Sequence, residues 1–364
     1  MSQRVPFMDL RPGPDAADVQ GAIQRVIDRG WFILGPELQA FEEEFAAAMG
    51  GAFSVGVGTG TDAIALLLRG LGIGPGDEVI TAPVSAAYSA LAIMMVGARP
   101  VFADLDPQRL TLDPRAAEAA ITSRTRAIMP VHLYGQPADM TAFEAIAARH
   151  HLLLVEDACQ AHGATCDGRA VGTFGAGAAF SFYPTKNLGA LGDGGAIVTH
   201  DAALTERLKR LRNGGQTDRY RHVEFGVNSR LDEMQAAILR ARLPLLAGWT
   251  AKRRELAARY RAQLAGAAIT VPPECDPGHV YHLFPVLSPY RDRVRAILME
   301  RGVETLIHYP IPLSKQEALA ATHPADCPIA TRVANEVFSL PLHPQLTIAE
   351  VDIVAAAVTA AVST

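Results

Sequence analysis

Between residues 50 and 200 the chain alternates short apolar runs with stretches of helical periodicity. The runs are Ser54-Val55-Gly56-Val57, Glu78-Val79-Ile80-Thr81, Pro100-Val101-Phe102-Ala103, Ala127-Ile128-Met129-Pro130-Val131, Leu152-Leu153-Leu154-Val155, Ala178-Ala179-Phe180-Ser181-Phe182-Tyr183 and Ala196-Ile197-Val198-Thr199. Helical spacing fills residues 63–68, 87–96, 116–121 and 142–150 between them. Runs this short and this apolar read as strands buried on both faces. Strand and helix alternating over this length predict an α/β fold, with a mostly parallel sheet covered on both sides. Ligands of such sheets bind at the carboxyl ends of the strands.

Past residue 200 the pattern changes. Residues 213–228 form a long polar stretch, of the kind that is functional or mobile inside a compact domain. Leu231, Met234, Ile238 and Leu239 then fall on one helical face, Pro244 interrupts, and a basic helix starts near Trp249. Beyond residue 265, apolar runs at Val280-Tyr281-His282-Leu283-Phe284 and Val303-Glu304-Thr305-Leu306-Ile307 predict strands of a smaller α+β unit. The expected division is a large domain at 1–245, with an N-terminal segment at 1–50, and a small C-terminal domain at 246–364.

Composition narrows the functional classes. Of 364 residues, 49% are hydrophobic and 20% charged, with a net charge of -5. That profile is soluble and globular, and it predicts no nucleic-acid partner. The longest apolar runs are too short to span a bilayer, and residues 1–9 carry no apolar core of a signal peptide. Cys159, Cys166, Cys275 and Cys327 show no metal-binding spacing, so reduced thiols in a cytoplasm and no metal site are expected.

Lysine is scarce: four among 33 basic residues. Lys186 stands apart from the other three because it follows an apolar run and opens into Asn187-Leu188-Gly189-Ala190-Leu191-Gly192-Asp193-Gly194-Gly195. An ammonium at the end of a buried strand is costly unless paired or deprotonated, and a depressed lysine pKa suits Schiff-base chemistry. A lysine snorkelling from a surface turn is the plainer reading. Gly58-Thr59-Gly60-Thr61-Asp62, between a strand and a helix, reads as a phosphate seat or as an ordinary turn capped by a threonine. It also meets a loose dinucleotide fingerprint, but without the acidic residue expected at the end of the next strand. Asp157 closes a fully apolar run and needs a partner, either a structural donor or a pyridinium nitrogen. Gln160 lies within reach of a ring oxygen, and Ser181 of a phosphate. Phosphate seat, buried acid and desolvated lysine on one parallel sheet together point to pyridoxal phosphate.

Five segments then resemble the DegT/StrS (DegT/DnrJ/StrS) sugar aminotransferases across essentially the whole chain. Ser181-Phe182-Tyr183-Pro184-Thr185-Lys186-Asn187-Leu188-Gly189 is similar to the family's cofactor-lysine motif. Glu156-Asp157-Ala158-Cys159-Gln160-Ala161-His162-Gly163-Ala164 resembles its acid motif, with Cys159 where alanine is usual. Pro130 to Gln136, Asn228 to Ala236 and Gly30 to Glu37 also match. The resemblance implies a fold-type-I, aspartate-aminotransferase-like enzyme, a homodimer with shared active sites. It implies that Lys186 bonds the cofactor, Asp157 holds the ring nitrogen and Gln160 contacts the ring hydroxyl. Gly60, Thr61 and Ser181 would bind phosphate, with Asn228 supplied by the partner subunit. Glutamate is the implied donor, and the acceptor a keto group on a dTDP- or UDP-linked deoxyhexose. Related dehydratases carry histidine in place of the lysine, so Lys186 argues for amino transfer.

The segments around His282 and His308 resemble members acting on 3-keto rather than 4-keto sugars, although Ser314 stands where histidine is frequent. Tyr88, Arg230, His308 and Tyr309 are the candidate substrate contacts. Ala86 occupies a position where many members carry a ring-covering aromatic residue. Two other classes stand beside this reading: a cofactor-binding regulatory protein without turnover, and a nicotinamide-dependent dehydrogenase.

Overall fold

The computed structural model describes residues 4–363. Its centre is a sheet of seven strands: β1 Phe53–Val57, β2 Glu78–Thr81, β3 Arg99–Phe102, β4 Thr125–Met129, β5 Leu153–Asp157, β6 Gly177–Ser181 and β7 Gly195–Thr199. They lie in the order β1-β7-β6-β5-β4-β2-β3. Every pair from β3 to β6 is parallel, and β7 alone runs against both its neighbours. The alternation in the sequence thus corresponds to an α/β fold with a mostly parallel sheet.

Alternation along β6 shows why the sheet is covered twice. Ala179 faces one side, packed with Val57, Val155, Ile197 and the helix α2 (Gly60–Gly70) through Ala63, Leu66 and Leu67. Ala178 and Phe180 face the other, against Phe41 and Phe45 of α1 (Pro36–Ala48). Phe45 stands edge-on to Phe180 and Phe182, with centroids 5.2 and 5.1 Å apart. Burying each such ring contributes about 1.5–3 kcal/mol before edge-to-face terms.

A helix α3 (Tyr88–Met95) follows β2, and α4 (Glu233–Arg242) and α5 (Leu246–Gln263) follow the sheet. The C-terminal part pairs strand Phe284–Leu287 antiparallel with Val337–Leu340. These pack with α5 and α6 (Ile348–Val362) around Leu256, Tyr260, Phe338, Val354 and Val358. Val5 joins this same core and bridges to Val303.

Three expectations from the sequence are corrected. Residues 280–283 are not a strand; pairing starts at Phe284. Their backbone groups go elsewhere: Val280 N–H donates to Gly135 O and Leu283 N–H to Tyr134 O, while Val280 O accepts from Asn187. Tyr281 sits at φ 46 among them. An apolar run was available for a strand, but burial between two parts of the molecule used it differently. Residues 303–307 make only isolated bridges, Val303 to Val5 and Leu306 to Ser339. The 213–228 stretch contains a short hairpin, Gln216–Asp218 with Arg221–His222.

Candidate functional site

Strand ends converge at one edge of the sheet. Gly195 pairs with both Val57 and Ser181, so the turn after β1 lies beside the end of β6. Asp157, last in β5, is in register with Ala179 of β6. The turn Gly58-Thr59-Gly60 then opens α2, with Thr59 Oγ1 accepting from the Asp62 N–H at 3.0 Å. The threonine cap of the plainer reading is therefore formed. A Cβ on Gly60 would stand 2.7 Å from Ser181 Cβ and 3.0 Å from Cys159 Sγ, so only glycine lets this helix start meet the other two loops. Thr61, in the first turn, is partly open to solvent.

Alternate residues of β5 take separate tasks. Glu156 is fully buried and accepts from the Gly172 and Phe174 amides at 2.8 and 2.9 Å, with His132 Nε2 at 3.2 Å. Asp157, 4% exposed, points into the site. Its oxygens accept from Ser89 Oγ at 2.6 Å and from Cys159 N–H at 3.2 Å. Among the described residues it has no ion pair. A carboxylate this buried, held by neutral donors alone, is suited to a cationic ring nitrogen.

Gln160 is oriented by the backbone. Its Oε1 accepts from Tyr134 N–H at 2.7 Å, which fixes the amide so that Nε2 is the donor end. One Nε2 hydrogen goes to Tyr309 Oη at 3.2 Å and the other is left for a ligand. Tyr134 Oη donates to His308 O at 2.5 Å, and His308 Nδ1 lies 2.9 Å from Ser339 Oγ. Tyr309 and His308 are thereby brought to the acid loop. Burial pushes the Tyr309 hydroxyl up to about 12, so it stays protonated at neutral pH.

Lys186 lies in the turn after β6. That turn closes through Lys186 N–H to Tyr183 O and Ala190 N–H to Phe182 O, both at 2.8 Å. Asn187 and Leu191 anchor it, to Val280 O and to Gln235 Oε1, each at 2.9 Å. The Lys186 ammonium has no hydrogen bond or ion pair among the described residues, although the residue as a whole is partly open to solvent. Burial of the amine lowers its pKa, and Cys159 and Asp157 oppose that only in part. His162 and His308 are held at about 3 and about 4, first by burial and then by Lys186, so neutral imidazoles surround the amine.

The remaining candidates lie further out. Tyr88 is exposed at the start of α3. Arg230 donates to Asn213 Oδ1 at 3.0 Å, and Asn228 is exposed. Sequence reasoning missed Ser89, whose bond to Asp157 spans 68 positions. It also missed Tyr134 as the group orienting Gln160, and Ser229 beside the phosphate seat; only their presence within the matched motifs pointed to the last two. The whole arrangement is able to hold a phosphate-bearing aromatic aldehyde whose ring nitrogen is positive. Among the described residues no cluster is placed to hold a metal ion, and no helix is long and apolar enough to cross a membrane.

Residues 15–359 match the DegT/DnrJ/EryC1/StrS aminotransferase family. A Streptomyces venezuelae protein named dTDP-3-amino-3,4,6-trideoxy-alpha-D-glucose transaminase is 51% identical, covering 94% of this chain and 92% of its own. An Acidithiobacillus ferrooxidans protein named UDP-N-acetyl-3-dehydro-alpha-D-glucosamine 3-aminotransferase is 44% identical, covering 94% of each. Among solved structures, S. venezuelae DesV in complex with a ketimine intermediate superposes with a TM-score of 0.95 at 49% identity, covering 99% of this chain and 98% of that one.

Proposed function

This chain belongs to the DegT/DnrJ/EryC1/StrS aminotransferase family, and we propose on that premise that it moves the amino group of L-glutamate to the 3-keto carbon of a nucleotide-linked deoxyhexose, using pyridoxal 5'-phosphate. The observation that carries the reading is the convergence of an unpaired buried acid, a desolvated lysine and a side-chain-free helix start, in a chain whose relatives are named as 3-amino-sugar transaminases.

The donor set fits the cofactor. Gly60, Thr61 and Ser181 take the phosphate, where the first-turn amides and the helix dipole favour negative charge. Asp157, steadied by Ser89, keeps the ring nitrogen protonated; the free Nε2 hydrogen of Gln160 meets the ring oxygen. When bound, pyridoxal phosphate supplies an aldehyde that carries the amino group and a ring that accepts electrons. Lys186 Nζ, below the ordinary lysine range, is the base that takes a proton from the donor's α-carbon and returns one at the sugar's C3. Tyr309, bonded directly to Gln160, and His308, tied to it through Tyr134, stand where an acceptor sugar enters, with Tyr88 and Arg230 at its rim.

We read the enzyme as a cytoplasmic homodimer. Trp31, Phe32, Tyr220 and Phe225 are exposed, the last two at 80%, and a second copy of the chain would cover them. Asn228, exposed on its own chain, then reaches the partner's phosphate. We keep the division into 1–245 and 246–364, supported by the cluster around Leu256, Phe338 and Val354, which Val5 of the N-terminal segment also joins.

The test is spectroscopic. Purified protein with pyridoxal phosphate should show a visible band that bleaches with glutamate and returns with a 3-keto, but not a 4-keto, nucleotide sugar. A band that ignores glutamate would favour a regulatory protein without turnover. No band at all would end the proposal.

A further inference from the structure

The phosphate seat contains an acid that ought to work against it. Asp62 is the third residue of α2, within the same first turn whose amides face the anion. A carboxylate in a first turn stabilises the helix, but beside a bound phosphate it repels the ligand. Its position is fixed by a residue from a distant segment. Ser229 Oγ donates to Asp62 Oδ2 at 2.8 Å and accepts from Gly58 N–H at 2.9 Å. Both contacts span about half the chain, and Ser229 is buried. A Cβ on Gly58 would meet Asp62 Oδ2 and Ser229 Oγ, each at 3.2 Å, so the glycine leaves room for this three-way contact. Ser229 N–H in turn donates to Arg212 O, which anchors the serine from behind.

We propose that Ser229 is a positioning residue for the phosphate seat: it draws the Asp62 carboxylate back against Gly58 and leaves the remaining first-turn amides of α2 to the phosphate. The inference rests on the pyridoxal phosphate reading and adds to it a residue that touches neither cofactor nor substrate. Without the serine hydroxyl, the Asp62 carboxylate loses its side-chain donor and Gly58 N–H loses its acceptor. Asp62, partly open to solvent, is then free to turn to the free N–H groups of its own helix start, which are the groups the phosphate requires. Asp62 lies in the first turn itself, so one misplaced carboxylate is a large change in local charge.

The prediction is specific to the phosphate. Apoprotein is titrated with pyridoxal phosphate and, separately, with pyridoxal, which has the same aldehyde and ring but no phosphate. Ser229→Ala should weaken pyridoxal phosphate about tenfold while leaving pyridoxal within about twofold. Asp62→Asn should not weaken pyridoxal phosphate, and in the Ser229→Ala/Asp62→Asn double variant most of the tenfold loss should disappear. Equal losses for both ligands, or a double variant as weak as Ser229→Ala, would overturn the role. Should Ser229→Ala fail to fold, Asp62→Asn still decides, since a marked loss of phosphate-dependent affinity in that variant contradicts repulsion. Wild-type protein that binds neither ligand sinks the cofactor reading itself; wild-type that binds both equally sinks the seat.

Discussion

The cofactor pocket and the surface beside it are built on opposite terms. In the pocket, segments distant in sequence hold one another: Ser89 to Asp157, Tyr134 to Gln160, Ser229 to Asp62, and Gly60 pressed on Ser181. At the surface large apolar side chains lie open, with Trp31 54% and Phe225 80% exposed, the latter just past the 216–222 hairpin in sequence. The pocket's acid and its Gln160 amide are already held and its lysine desolvated, whereas at the rim large apolar side chains stay open to solvent. The polar frame of the pocket is thus set within the fold, and a second copy of the chain is the proposed cover of the surface around it.

Breaking the pocket should give the largest effects. Lys186→Ala removes the group proposed to move the donor's proton, and the glutamate half-reaction should fall about a thousandfold or more. Rapid mixing with glutamate measures it, and a loss of less than tenfold would displace Lys186 from the mechanism. Asp157→Asn keeps an acceptor for Ser89 but not the charge proposed to hold the ring nitrogen protonated. A loss of about a hundredfold in kcat, with KM for the sugar little changed, is expected. A change confined to KM would place Asp157 in substrate binding instead.

These residues were readable because local sequence declared them. Lys186 is one of four lysines and the one that ends an apolar run in a glycine-dense turn; Asp157 ends a strand that opens on the apolar run Leu153-Leu154-Val155. The strand series from 53 to 199 was equally visible, since both faces are buried and the runs are continuous. What supports the pair was not visible. Ser89 is an ordinary serine in an apolar helix, and its value lies in a contact made only after β2 and β5 are brought into one sheet. Residues 280–283 misled for the same reason: Gly135, Tyr134 and Asn187 claim their backbone groups, and none of these is a neighbour in sequence.

The rim should respond more mildly. Replacing both Tyr220 and Phe225 with aspartate puts charge where apolar area is expected to be covered, so sedimentation should shift from dimer to monomer at micromolar concentration. The pocket should survive in that monomer. Pyridoxal phosphate affinity should drop only about tenfold, the share expected of one missing hydrogen-bonding contact from Asn228, while turnover falls further. If the separated chains lost the visible band altogether, the contrast between the two regions would collapse, because the pocket would then depend on the partner as much as the rim does.

The smallest effect concerns the lysine before any cofactor is present. Burial lowers the Lys186 pKa in the folded chain below its unfolded value, and no carboxylate pairs with it. Below the folded pKa the group is protonated in both states, so the folded protein bears the full cost of a desolvated charge. As pH rises through the folded pKa toward 10.5, the folded state sheds its proton first and that cost disappears. Lys186→Met fills the same space without the charge. The apoprotein should therefore melt higher than wild type at pH 7, by a few degrees at most, and the advantage should shrink steadily as the pH approaches 10. An advantage that grew with pH would mean that the folded state favours the ammonium through a pairing strong enough to outweigh burial. Lys186 would then be a structural cation, and its readiness as a base would have to come from the cofactor itself.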